Sequence, residues 1–208
     1  IQEKCRTIVE RYTSKSMIFG PIAINYQQLK KMVDAVFIAL HGRPGEDGEI
    51  QGYLQKLNIP FNGSLASSAR LTINKYETLQ LLKKHGLSVT EQVLISKEDF
   101  SANRNAVLKE IELLIQYPLI AKPVDDGCSS AVKLIKSTEQ LAAYLMALFR
   151  TSEYVSADNV SILDLKPKEE FPQKEVALIE AMIDKKDAIN FLEITGGLLT
   201  QYNSKGQL

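Results

Sequence analysis

The sequence predicts an α/β protein in two parts, a small parallel-sheet domain followed by an α+β domain. Three observations support this. Residues 33–40, VDAVFIAL, are an almost unbroken apolar run, the mark of a strand covered on both faces inside a parallel sheet. A glycine-rich loop, a helical pattern and the short segment Asn58-Ile59-Pro60-Phe61 follow, so 33–63 reads as a β-loop-α-β unit. Beyond it the style changes to strands joined by short turns, which places a domain boundary between residues 70 and 71.

The elements follow in order. Residues 1–12, IQEKCRTIVERY, look helical, the stretch around Pro21 has no clear pattern, and QQLKKMV before Asp34 suggests a short helix. Ile50, Tyr53, Leu54 and Leu57 recur at helical spacing and predict one buried face. Asn74 with Glu77 three residues on resembles a capping box, and Gly86 closes the helix that it opens. VTEQVLIS (89–96) is strand-like, VLKEIELLIQY (107–117) helical, and PLIAKPV (118–124) a strand with AVKLIK (131–136) as its hairpin partner. Ser137 and Gln140 cap a helix bearing Leu141, Tyr144, Leu145 and Leu148. Residues 151–174 read mostly as loop, and EVALIEAMI (175–183) and INFLEI (189–194) as strands around the turn Asp184–Asp187. YNSKGQL (202–208) has the look of a turn, and the chain reads as a piece of a longer protein because Ile1 already lies in mid-pattern.

Bulk properties narrow the function. The 208 residues hold 25 basic and 25 acidic side chains, a net charge of zero, so no global field draws nucleic acid or an anionic membrane. Cys5 and Cys128 make neither a disulfide framework nor a zinc pattern, which favours a reduced, cytoplasmic setting. No apolar run has the length of a membrane span.

Four places hold chemistry, each with a plainer alternative. The loop His41-Gly42-Arg43-Pro44-Gly45-Glu46-Asp47-Gly48 follows the apolar run and opens a helix, where α/β folds bind ligands. Its glycines permit close backbone approach, and the helix start offers free N–H groups. The same letters also describe a turn whose acids favour a helix N-terminus. Lys75 at a helix start and Lys122 in an apolar strand suit a polyphosphate, unless each simply extends to solvent. Asp125-Asp126-Gly127-Cys128-Ser129-Ser130 is a loop whose amides and hydroxyls suit a phosphate, or a polar hairpin turn. Glu180, between apolar neighbours, fits an amino group in a cleft, or is an edge-strand acid turned to water. A nucleophilic Cys128 lacks a neighbouring base, and His85 reads as structural.

Taken in order, HGRPGEDGEIQ (41–51), Asn74-Lys75, YPLIAKP (117–123), the glycine–serine loop and LIE (178–180) resemble the D-alanine–D-alanine ligase family of the ATP-grasp fold, from Val33 to Asp187. The resemblance implies a parallel-sheet pre-ATP-grasp domain over 1–70 and an α+β adenine-binding subdomain over 71–208. It implies catalytic roles for His41 and Ser129, and a D-alanine pocket built by His41, Gly42, Gly45, Glu46, Asp47 and Gly48 with Cys128 and Ser129. It assigns the phosphates of ATP to Lys75, Lys122, Gly127, Ser129 and Ser130, and the base and ribose to Glu180, Ala181, Ile183 and Asp187. The implied reaction phosphorylates one D-alanine carboxylate, and the amine of a second attacks the acylphosphate to give a dipeptide for peptidoglycan, in the cytoplasm, with Mg2+ on the phosphates. Family members are often dimers.

Departures stand beside the match. The family loop usually reads G-S-S-V-G, against Gly127-Cys128-Ser129-Ser130-Ala131 here. The family's first β-α unit, its late N-E-x-N metal motif and its arginine near the transferred group do not occur in these residues, so no metal ligand is expected in this chain and turnover is expected only of a longer parent. A ligase for other amino acids and a catalytically silent nucleotide-binding domain are the rival readings. A dinucleotide oxidoreductase is disfavoured, since no G-x-G-x-x-G follows a strand.

Overall fold

Helix α1 (Tyr26–Met32) begins where the Asn25 side chain accepts from the Gln28 amide and the Gln28 side chain accepts from the Asn25 amide, a reciprocal box that satisfies two orphan donors. The structure is a computed structural model that describes Thr7, Arg11 and residues 23–127, 129–167, 169–194 and 196. Cys5, Cys128, Pro21, the terminal turn over 202–208 and most of the helix expected over 1–12 lie outside the described residues. The chain divides into two compact units, Ile1–Asn74 and Lys75–Leu208.

In the first unit, Val36 and Phe61 form a parallel bridge, with the Val36 amide donating to the Pro60 carbonyl at 2.8 Å. The pairing then stops being backbone to backbone. The Asn62 side chain accepts from the Ile38 amide at 2.6 Å and donates to the Ile38 carbonyl at 3.3 Å, replacing the next rung. The strand expected over 33–40 is therefore an extended segment with one bridge. It is not covered on both faces either, since Phe37 is 80% and Leu40 53% exposed.

Helix α2 (Glu49–Lys56) buries Leu54 and Gln51, whereas Tyr53 faces outward and stacks on Tyr26 at 4.6 Å between ring centroids. A helix absent from the sequence reading, α3 (Ala66–Ile73), packs on α2 through small residues, Ala66 and Ala69.

The second unit opens with α4 (Lys75–Lys84), which ends at Gly86 in the left-handed region (φ +82), with the Leu87 amide returning to the Leu82 carbonyl. Then come β1 (Gln92–Ser96), α5 (Lys97–Ala102) and α6 (Arg104–Leu114), the two helices capped by the side chains of Ser96 and Asn103. Strands β2 (Leu119–Pro123) and β3 (Lys133–Ile135) form the expected hairpin. Helix α7 (Thr138–Leu148) starts at Ser137, whose side chain accepts from the Gln140 amide. Inside the segment read as loop lies a short helix, α8 (Ala157–Ile162), capped by Ser156. Strand β4 (Val176–Ala181) is the last strand among the described residues. Residues 189–194 pair with no strand there, and Ile189, Leu192 and Ile194 are at least 78% exposed. The apolar letters of INFLEI gave the periodicity of a strand without a neighbour to bond.

The sheet runs β1-β4-β2-β3, with every pair antiparallel. Because side chains alternate along a strand, the register sorts them into two faces. One face carries Ile95, Ala177, Ile179, Leu119, Ala121 and Ile135 into the core. Helix α7 fills that core with Leu141, Ala142, Ala143, Tyr144, Leu145, Ala147 and Leu148. The buried Tyr144 hydroxyl donates to the Ala131 carbonyl at 3.0 Å, and burial pushes its pKa well above the usual tyrosine value. The opposite face carries Gln92, Leu94, Ile120, Lys122, Leu134, Leu178 and Glu180.

Candidate functional site

Two charged groups on a mostly apolar sheet face need a reason to be there. They supply it to one another. Cross-strand neighbours on one face lie within side-chain reach, and the register sets Leu178 opposite Lys122 and Glu180 opposite Ile120, so Lys122 and Glu180 are diagonal neighbours. Lys122 Nζ and Glu180 Oε2 are 2.5 Å apart, with side chains only 18% and 9% exposed. Gln92 Nε2, directly across β1 from Glu180, donates to Glu180 Oε1 at 3.4 Å. Glu180 thus stands on an interior strand and is buried, unlike the edge-strand acid turned to water.

The loop leaving β2 adds a second cluster. The Lys75 amide donates to the Val124 carbonyl at 2.9 Å, and Lys75 Nζ donates to the Asp126 carbonyl. Asp126 Oδ1 accepts from the Gly127 amide at 3.0 Å. Lys174 Nζ bridges Asp125 Oδ1 and Asp126 Oδ2, each at 3.2 Å. Lys75 is half-buried, and its pKa is lowered first by burial and then by the charge of Lys122, against the pull of Asp126 and Asp125. The two lysines picked out in the sequence therefore share one electrostatic environment. Lys174 was missed, because its acid partner lies 49 residues away and nothing local in the sequence marks the pair.

Beyond Gly127, Ser129 (φ +55) and Ala131 (φ +49) adopt the left-handed region, and the Ser130 amide donates to the Gly127 carbonyl at 3.0 Å. Ser130 Oγ is buried without a hydrogen-bond partner. Ala131 is 2% exposed and holds a conformation that favours glycine. At the far end of β4 the Ala181 amide donates to the Glu91 carbonyl at 3.0 Å, while Ile183 and Asp187 are exposed.

In the first unit the glycine-rich loop folds on itself through Glu46. Glu46 Oε2 accepts from the Gly42 amide at 2.8 Å, and Glu46 Oε1 lies 3.2 Å from His41 Nδ1. Gln51 Nε2 donates to the Gly45 carbonyl at 2.6 Å from a buried position. Asp47 Oδ1 accepts from the Glu49 amide at 3.0 Å, so one of the helix-start donors is already used within the chain. His41 remains 73% exposed. A Cβ on Gly45 would lie 2.5 Å from Leu40 Cβ, which explains that glycine by close packing. A cleft beside Glu46 is lined by Ser64, Ala69, Thr72 and Ile73.

Among the described residues, no group of three or more His, Cys, Asp or Glu side chains is placed to hold a metal ion, and no helix is long and apolar enough to cross a membrane.

The fold has counterparts among solved structures. The VanG D-Ala:D-Ser ligase from Enterococcus faecalis superposes with a TM-score of 0.54 and 28% identity, over 73% of this chain and 37% of that one. The D-alanyl-alanine synthetase A from Vibrio cholerae shares the fold, with a TM-score of 0.53 at 18% identity, over 73% of this chain and 39% of that one. The fold is that of the ATP-grasp class. The sequence profile described as "D-ala D-ala ligase N-terminus" matches residues 3–64, and "D-ala D-ala ligase C-terminus" matches residues 81–186. The chain belongs to the D-alanine–D-alanine ligase family. Among curated relatives, a D-alanine–D-alanine ligase of Polynucleobacter asymbioticus is 44% identical over 116 residues, 55% of this chain and 32% of the relative. One from Borrelia duttonii is 30% identical over 145 residues, 68% of this chain and 39% of the relative. The chain thus spans 32% and 39% of the length of these two relatives.

Proposed function

We propose that the chain is the nucleotide-binding part, with one wall of the amino-acid pocket, of an ATP-dependent carboxylate–amine ligase that joins D-alanine to D-alanine for peptidoglycan. The observation that supports this most is the sheet face of the second unit that is turned away from its helical core. There Lys122 and Glu180 stand among Leu94, Ile120, Leu134 and Leu178, and Lys75 shares the field of Lys122. A mainly apolar face, on which Leu94 and Leu134 are exposed, with one carboxylate suits an adenine and its amino group. Ammonium groups beside a glycine–serine loop suit its phosphates. The residues fit ATP in charge as well, since Lys75 already bears the cost of burial and of a neighbouring cation, and a polyanion relieves both.

In this reading Lys75 and Lys122 hold the phosphates, with Gly127, Ser129 and Ser130 supplying amides and hydroxyls. Glu180, the backbone at Ala181, Ile183 and Asp187 take the base and ribose. His41, in a loop braced by Glu46, orients the first D-alanine together with Gly42, Gly45, Asp47 and Gly48, and the family resemblance also gives Cys128 and Ser129 to the amino-acid substrate. ATP supplies the phosphoryl group that activates a carboxylate. Mg2+, which the family resemblance implies, would neutralise phosphate charge, and no residue of this chain is assigned to it. Fixed cations and amides contribute by holding the reacting groups and by meeting charge as it develops.

A second reading, a ligase that takes another amino acid as acceptor, is favoured by the likeness to a D-Ala:D-Ser ligase and by the altered loop ending in Ala131. ADP release by the full-length parent with D-alanine, D-serine and L-amino acids decides. A D-alanyl-D-alanine product supports the first reading, a mixed dipeptide the second, and no release with any substrate refutes both. In the parent, His41→Ala is expected to raise the amino-acid KM or lower kcat while leaving ATP affinity within about twofold, the scale of an unaffected site.

Lys75 gives the binding a pH signature. Its pKa in the free chain lies below the usual 10.5, and bound phosphates favour the charged form and raise it. Binding then takes up a proton wherever the free chain has lost one. ATP affinity is therefore expected to fall as pH rises through the lowered pKa, and Lys75→Arg should move that fall to higher pH. A profile flat up to pH 10.5 would remove Lys75 from the site.

A further inference from the structure

We propose that Lys174 is a positioning residue of the nucleotide site, acting through Asp126. The proposal rests on the nucleotide reading of the second unit. Asp126 is a junction. Its carbonyl accepts from Lys75 Nζ, its Oδ1 accepts from the Gly127 amide at 3.0 Å, and its Oδ2 lies 3.2 Å from Lys174 Nζ. Whatever fixes Asp126 therefore fixes both the Lys75 ammonium and the first amide of the glycine–serine loop.

Lys174 is built to do this. Its amide donates to the Leu148 carbonyl at 3.0 Å, at the end of α7. The residues before it are moored by Arg150, which donates to the Phe171 carbonyl at 2.8 Å and the Pro172 carbonyl at 3.4 Å. On the other side, the Glu175 carbonyl accepts from the Lys97 amide at 2.9 Å. The backbone at 174 is thus tied to the core helix and to the end of β1, and only its side chain, 18% exposed, reaches the loop. Lys174 also sets one ammonium between two adjacent carboxylates, Asp125 and Asp126. Removing it leaves less positive charge against both acids beside the place read as the phosphate subsite, and like charge there repels a polyanion.

The test titrates ATP, and separately adenosine, into the purified chain and its Lys174→Met, Lys174→Arg and Lys75→Met variants, with thermal melts to confirm folding. Lys174→Met is expected to weaken ATP about tenfold, the scale of a lost charge-assisted tie, and to leave adenosine within twofold. A general loss of structure would weaken both. Lys174→Arg should restore most of the ATP affinity. Placed in an Asp126→Ala background, Lys174→Met should cost little more, because residues acting as one unit are non-additive. An equal loss in both backgrounds overturns the proposal, as does unchanged ATP affinity in Lys174→Met while Lys75→Met weakens binding. If the wild-type chain binds no ATP, or Lys75→Met has no effect, the nucleotide reading itself fails. Should Lys174→Met not fold, Asp126→Ala takes its place, with the same selective loss of ATP over adenosine expected.

Discussion

Replacing Lys122 by methionine is expected to destabilise the Lys75–Leu208 unit by about 3 kcal/mol, the cost of leaving a buried carboxylate unpaired. Glu180 has a side chain only 9% exposed, and its other neighbour, the Gln92 amide group, donates at a long 3.4 Å. The desolvation of the carboxylate is then met by one weak hydrogen bond instead of an ammonium at 2.5 Å. Adding Glu180→Gln should recover most of the loss, because a buried pair replaced at both ends costs far less than a pair broken at one. Urea unfolding of the single and double variants measures both numbers. A single variant as stable as the parent chain would mean that Glu180 reaches water or another partner.

Gly48→Ala is expected to cost the first unit about 3 kcal/mol, through two effects that add. The residue sits at φ +81, where an L side chain is strained, and a Cβ would lie 2.4 Å from the Ala66 carbonyl oxygen and 2.9 Å from Arg70 Cγ. A carbonyl on a packed helix cannot step aside as a side-chain tip can. Gly42 provides the control. At φ +69 it has nothing within 4 Å of the added methyl, so Gly42→Ala should cost only the conformational part, about 1 kcal/mol. Equal losses at both positions would show that the clash with α3 is relieved by movement of that helix.

What could be read from the letters divides by range. Local chemistry was legible: the Ser137–Gln140 cap and the Gly86 stop depend on residues a few positions apart, and the 118–136 hairpin on strands that follow one another in sequence. The D-alanine–D-alanine ligase family was legible too, because its motifs keep their order along the chain. Pairing was not. VDAVFIAL and INFLEI have the composition of buried strands, yet the first makes one bridge before the Asn62 amide intervenes and the second pairs with nothing among the described residues. Apolar content states what a strand would bury, and only a neighbour makes it a strand. Helix α3 escaped notice for the opposite reason, since ASSARLTI packs by smallness and shows little apolar stripe. Within the site, Lys122 and Glu180 were each suspected alone, but their bond depends on the register between β2 and β4, which no single segment encodes.

The order β1-β4-β2-β3 has a consequence for how the sheet is born. The strand made last among the four lies between those made earlier, and β1 has no other partner in the sheet. On a ribosome that has not yet released residue 181, β1 is an orphan and β2–β3 is a lone hairpin, a pairing that is marginal in water. Sheet closure is then a late, long-range event of the kind that slows folding. Until it happens, Lys122 has no carboxylate to meet, so the nascent chain acquires that sheet face and its charge pair in a single act of insertion.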